Sequence, residues 1–103
     1  LAQPRNVIGG HCIAALVGIV IFQLAGSGPL AMAIAVGVAI ALMQVCRAVH
    51  PPAGANPLVI MLAGIHEYHF LLTPVLAGSV ILVLVALVIN NVGAGKRWPN
   101  YWF

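Results

Sequence analysis

The sequence predicts an all-α polytopic membrane bundle with three full spans and one re-entrant half-helix. Three observations lead there. Of 103 residues, 63% are hydrophobic and only 5% charged, against roughly 25% charged in soluble domains. Three apolar stretches approach the ~20 residues that cross a bilayer. A fourth apolar run lies between the second and third and is too short to cross.

The first span is expected over about 4–25 and the second over about 29–49. Gly26-Ser27-Gly28 is a short connector, so these two should form an antiparallel hairpin. The third is expected over about 74–90. Proline stands where each segment could begin, at Pro4, Pro29, Pro57 and Pro74. Its missing N–H would have no partner at the first helical position in any case. Asn56 and Thr73 are candidate N-caps before two of these starts.

The short run Pro57–Ile65 (PLVIMLAGI) would make a helix of roughly 13 Å, under half a hydrocarbon core. It is apolar on every side, unlike a surface-lying amphipathic helix. A re-entrant half-helix is the expectation. Pro51 and Pro52 should end the second span near His50. Residues 51–56 would then dip inward in extended form, and the half-helix would climb back out.

Small residues recur at helical spacing. Gly10, Ala14 and Gly18 line one face of the first span, and Ala33, Gly37 and Ala41 one face of the second. Such faces allow close helix packing in lipid. Cys12 and Cys46 sit in apolar runs with no CxxC spacing and read as small hydrophobes.

Four basic residues, Arg5, Arg47, Lys96 and Arg97, and one acid, Glu67, give a net charge of +3. That is too sparse for a nucleic-acid surface, and a single carboxylate excludes carboxylate-pair hydrolysis. With no Ser–His–Asp or Cys–His set and no phosphate loop, an enzyme is not expected. His66-Glu67-Tyr68-His69 is not HExxH and offers at most three ligands, so neither a metal nor another cofactor is expected. The division is a transmembrane domain over 1–95 and a basic, aromatic tail over 96–103. Lys96 and Arg97 beside Trp98, Tyr101 and Trp102 mark a headgroup-level anchor and favour a cytoplasmic C-terminus. On a re-entrant path Arg5 and Arg47 would fall on the opposite side. The chain starts at Leu1 rather than Met, so an upstream segment is expected.

The stretch Arg47–Pro57, R-A-V-H-P-P-A-G-A-N-P, holds most of the polar groups. Gln44, Arg47 and His50 follow at i, i+3 spacing and should share a stripe. Arg47 is a permanent cation with several donors, and Asn56 could cap the half-helix or donate to a ligand. A half-helix N-terminus at bilayer depth would present free N–H groups and attract anions. Arg5, Asn6 and His11 could reach the same region. The bland alternatives are that Arg47 snorkels to headgroups or pairs with Glu67, that His50 is interfacial, and that His11 bonds a carbonyl.

His50-Pro51-Pro52 followed by Ala53-Gly54-Ala55-Asn56-Pro57-Leu58 resembles the signature of the HPP family of integral membrane proteins. The run Leu1-Ala2-Gln3-Pro4-Arg5-Asn6-Val7-Ile8-Gly9-Gly10-His11 resembles the family's second motif, and Asn90-Asn91 before a basic tail matches too. The resemblance covers nearly the whole chain. It implies four spanning helices, with another apolar segment ahead of LAQPRN, in a bacterial inner or plastid-type membrane. It implies transport, with nitrite associated with plastid and cyanobacterial relatives. The expected partners are the lipid bilayer, a small inorganic anion and further protein subunits, as a homo-oligomer or within a membrane complex. The expected site is Arg47, His50 and Asn56, completed by Arg5, Asn6 and His11. The other reading is a small structural or accessory subunit of a larger membrane complex.

Overall fold

The computed structural model describes residues 3–65, 67–92 and 98–99. All regular structure among them is helical: α1 (Pro4–Ala25), α2 (Pro29–Val45), a 3-10 turn (Pro51–Ala55), α3 (Asn56–Ala63), a wide turn (Leu71–Leu76) and α4 (Ala77–Asn91).

Helices α1 and α2 form the expected hairpin. Gly10, Ala14 and Gly18 are buried on α1. On α2 the packing face is Ala31, Ala35, Ala39 and Met43, which overturns the expectation of Ala33, Gly37 and Ala41. Those three are exposed, and a Cβ on Gly37 would meet nothing within 4 Å. Small residues alternate along this helix, so two faces carry the spacing. The one ending in Met43 packs, because Met43 also reaches Gly10.

Helix α2 ends at Val45, four residues before the expected limit. The chain turns through Arg47, whose φ of 55° is left-handed. Ala48 N–H donates to Met43 O at 2.8 Å and Arg47 N–H to Gln44 O at 3.2 Å. This pair of bonds closes a helix in the Schellman pattern, which usually has glycine at the left-handed position. At the end of α3 the same role falls to Gly64, with φ of 71°. Because the helix stops here, Gln44, Arg47 and His50 do not share the helical stripe expected of them. Cys46 is exposed at this end rather than buried.

Pro51–Ala55 is a 3-10 turn, not an extended strand. His50 is extended before Pro51, as proline demands of its predecessor. The two prolines then start a helical turn, whose first turn tolerates them. Ala53 N–H donates to His50 O at 2.9 Å.

Contacts along α1 fix the direction of residues 48–68. Asn6 Nδ2 donates to Val49 O at 2.6 Å. Gly10 lies against Ala48 and His50, and Gly18 against Pro57 and Ile60. Tyr68 Oη donates to Gln23 Oε1 at 2.8 Å. The segment therefore climbs from the start of α1 to its end. It runs the length of the bundle as a broken element, where a return to the Arg5 end is the expectation. Ala53 and Met61 join the α1–α2 core, and Ile60 packs with Ala15 and Ile19, so apolar contact is continuous along the climb.

Phe70, Leu71 and Val75 then pack near Ala15 and Ile19. Gly78, Ser79 and Leu82 share a cleft with His11, so α4 descends toward the start of α1. Thr73 is extended (φ −140°, ψ 115°) within the wide turn; it caps nothing, and α4 starts three residues after Pro74. The four segments thus alternate up and down. Pro4–Ala25 and Leu71–Asn91 are long and apolar enough to cross a membrane. Helix α2, with 17 residues, extends about 26 Å at 1.5 Å per residue, short of a core of about 30 Å. Two of the three expected full spans are thus present at full length.

This topology also redistributes charge. Arg5 and Arg47 lie at the end of the bundle where α4 finishes, and Glu67 follows α3 at the other end. A pairing of Arg47 with Glu67 is excluded by that separation. Asn91 holds the backbone of Trp98 from both sides, donating to its O at 2.6 Å and accepting from its N–H at 2.9 Å. Lys96, Arg97, Tyr101 and Trp102, which carry most of the expected anchor, lie outside the described residues, as does His66.

Candidate functional site

Four of the six expected site residues meet around α1. Asn6 is buried and tied to the chain just before His50. The His11 and His50 rings stand 5.0 Å apart, tilted by 59°. Asn56 Nδ2 lies 2.9 Å from His11 Nδ1 and donates to His11 O at 3.3 Å. His11 thus makes more than the single carbonyl contact of the bland reading. His50 Nδ1 is sealed from solvent with no hydrogen-bond partner among the described residues.

The glycines make this meeting possible. A Cβ on Gly10 would lie 2.8 Å from His50 Cβ and 2.9 Å from Ala48 O. On Gly18 it would lie 2.8 Å from Pro57 Cα. Any side chain at either position would push the broken segment off α1. The glycines were read in the sequence only as a helix-packing face; their partner proves to be the HPPAGANP segment as much as α2.

Depth follows from α1. His11 stands seven residues after Pro4 and Gly18 seven before Ala25. Asn56 and Pro57, held between those levels, sit over the middle third of the helix. The His11–Asn56 pair is therefore away from both ends of the bundle, while Asn6 lies nearer the Arg5 end.

The expected free helix N-terminus is not present at Asn56. Asn56 is the first residue of α3, and its N–H donates to Ala53 O. Ala53 N–H is also used, and Pro51, Pro52 and Pro57 have no N–H. Ala55 rather than Asn56 is the N-cap of α3, and the Asn56 amide is turned to His11.

Arg47 is exposed at the end of α2, and no contact among the described residues joins it to the His11–Asn56 pair. Arg5 is half-buried one and a half turns before His11 on α1. Both are permanent cations, placed toward the Arg5 end rather than in the cluster. Glu67 and His69 are exposed at the opposite end.

An open cleft of about 410 Å³ lies between α1, α3 and α4, with His11, Asn56 and Ser79 on otherwise apolar walls. Ser79 Oγ donates to Leu76 O at 2.9 Å, so His11 and Asn56 supply the chemistry of this cleft. Val59, Phe70, Pro74, Val75, Gly78 and Leu82 complete it. Apolar positions of this kind carry no signal in the sequence beyond ordinary helix packing.

A family model described as the HPP transmembrane region matches residues 1–99. A transmembrane protein of Dictyostelium discoideum is 39% identical over 111 residues, covering all of this chain and 39% of the relative. A second transmembrane protein of the same organism is 33% identical over 110 residues, covering all of this chain and 35% of its length. The chain thus spans less than two fifths of the length of these curated relatives. No solved structure matches. The motifs at His50–Leu58 and around Arg5–His11, packed against each other, fall within the matched region, and the chain belongs to the HPP family of transmembrane proteins.

Proposed function

We propose that this chain forms part of a membrane pathway for a small inorganic anion, with nitrite the first candidate, and that it is not an enzyme. The observation that supports this reading is the meeting of His11, His50 and Asn56 at the break in the third segment, toward the middle of α1, with Asn6 holding the chain just before His50 from the first turn of α1. Polar side chains at bilayer depth are costly and mark ion or substrate paths. Irregular backbone at that depth belongs where protein or a watery cavity lines it. Arg5 and Arg47 would attract the anion to one end and hand it to neutral donors deeper in.

In this reading all four segments cross the bilayer, α2 being completed by the residues that lead to His50. The end with Arg5, Arg47 and the exit of α4 faces the cytoplasm, by the bias of basic residues to that side. Four thin segments enclose no private channel, so the pathway is completed by further segments or by copies of the chain.

Purified protein in sealed vesicles should pass nitrite faster than protein-free vesicles. Arg47→Ala should slow this passage and His50→Ala should stop it. A second reading, an accessory subunit of a larger complex, draws on the exposed Ala33, Gly37 and Ala41 face of α2. Vesicles that pass no anion, from a protein that co-purifies in fixed ratio with other membrane proteins, would establish that reading instead.

A further inference from the structure

We infer that Asn56 is a positioning residue that locks His11 as the Nε2–H tautomer, so that the cleft offers an acceptor ligand a neutral imidazole donor. The inference rests on the proposed anion pathway and assigns the roles within its site.

An amide nitrogen donates and does not accept. Asn56 Nδ2 faces two His11 atoms, the backbone O at 3.3 Å and the ring Nδ1 at 2.9 Å. The carbonyl fixes which way the amide points. Turned over, Asn56 would set its own oxygen against the His11 oxygen, acceptor against acceptor. With the nitrogen toward His11, one amide hydrogen goes to the carbonyl and the other to Nδ1. Nδ1 must then carry a lone pair, and the ring proton sits on Nε2. The hydrogen bond made by one ring nitrogen sets the state of the other.

The backbone helps to hold this arrangement. The acceptor carbonyl belongs to α1, and Asn56 opens α3, whose next residue is pressed against Gly18. Both partners are thus fixed by helix packing. Other groups around the ring do not compete for Nδ1. His50 faces His11 from the 48–50 connection at 5.0 Å between rings. Arg5 and Cys12 lie on α1 itself. The cleft walls from α3, the wide turn and α4 bring only Ser79 as a further polar side chain, and its hydroxyl is committed to Leu76 O.

A neutral N–H suits a small anion that has to leave again. It supplies a directed hydrogen bond without the strong attraction of a buried cation. Arg5 and Arg47, nearer the end, supply the long-range charge. In this division Asn56 touches no ligand; it acts through His11.

The test is nitrogen NMR of protein labelled with 15N-histidine in lipid, with His11→Gln to identify the His11 signals. Without any anion, His11 Nδ1 should give the signal of a bare nitrogen and Nε2 that of a protonated one. Adding nitrite should move the Nε2 signal. In Asn56→Asp the carboxylate should draw the proton to Nδ1, and nitrite should bind roughly tenfold more weakly, as expected for losing one hydrogen bond to a charged group. If Asn56→Asp does not fold, Asn56→Ala serves, and should give a mixture of both tautomers. A protonated Nδ1 in the unaltered protein overturns the inference, as does an unchanged tautomer in the variants. A correct tautomer whose Nε2 ignores nitrite, while vesicles still pass nitrite, overturns the donor role and leaves the pathway standing. A correct tautomer that shifts with nitrite, in vesicles that pass none, supports the binding role and removes the pathway.

Discussion

At the scale of single residues, absence of a side chain matters as much as presence. Gly10 and Gly18 each leave room that backbone or Cβ atoms of the crossing segment occupy at 2.8 Å from where a Cβ would stand. Gly10→Ala and Gly18→Ala should each destabilise the protein by about 1–3 kcal/mol, the usual cost of overpacking a filled core. Gly37→Ala, with open space around it, should leave stability unchanged or slightly raise it. Thermal unfolding in detergent separates the three. Arg47 makes the opposite case. It occupies a left-handed position, with φ of 55°, where glycine would avoid a penalty of about 1 kcal/mol. Arg47→Gly should therefore unfold at a higher temperature and yet, if the proposed pathway operates, pass nitrite more slowly, since the cation is gone. Strain held at a charged residue is a pointer to use, and a variant both more stable and less active would bear that out.

Elements show where sequence reasoning succeeded and where it stopped. Apolar length and the starting prolines placed α1, α2 and α3 within a few residues, because hydrophobic burial and the missing proline N–H act locally. The end of α2 was misjudged, since nothing in Cys46-Arg47-Ala48 announces a left-handed turn; only the bonds back to Met43 and Gln44 create it. The path of residues 51–56 was misjudged for a related reason. Two prolines forbid a helix interior but permit its first turn, and the choice between extended and 3-10 form depends on tertiary packing, with Ala53 buried in the α1–α2 core and the flanking residues seated on Gly10 and Gly18. In the site, His11, His50, Asn6 and Asn56 were legible as polar groups in apolar surroundings. That Asn56 serves His11 rather than its own helix was not, because a cap and a cross-helix bond use the same residue type. Asn6 ties the two motifs directly, being 3% exposed and bonded to Val49 O. Asn6→Leu leaves that carbonyl without its donor and should cost about 1–3 kcal/mol. Amide exchange should then quicken first in residues 48–55, ahead of α1 and α2.

For the whole molecule, direction of travel is the main correction. A half-helix that returns would set Arg5 and Arg47 against Lys96 and Arg97 across the membrane. A segment that goes through brings the exit of α4 to the same end as Arg5 and Arg47 and leaves Glu67 and His69 at the other. Cysteine labelling decides between these paths. In a Cys12→Ser background, Cys46, exposed beside Arg47, should resist an impermeant maleimide in intact cells and react once they are opened. With Cys46 also removed, His69→Cys should react in intact cells. Equal protection of both positions would restore the returning path, and the reverse pattern would invert the orientation.

The broken crossing also bears on how the protein enters its membrane. Neither Pro51–Ala55 nor α3 is long enough to partition into lipid alone, since a stable span needs about 20 apolar residues. Together they contain Pro51, Pro52, Pro57 and Asn56, whose amide finds its partners on α1. If this segment crosses the bilayer as proposed, the α1–α2 hairpin should be in place first and act as the surface on which it is drawn through, with α4 closing behind it. On that path assembly would be templated rather than a sequential insertion of self-sufficient helices, with Gly10 and Gly18 as the seats that the template offers.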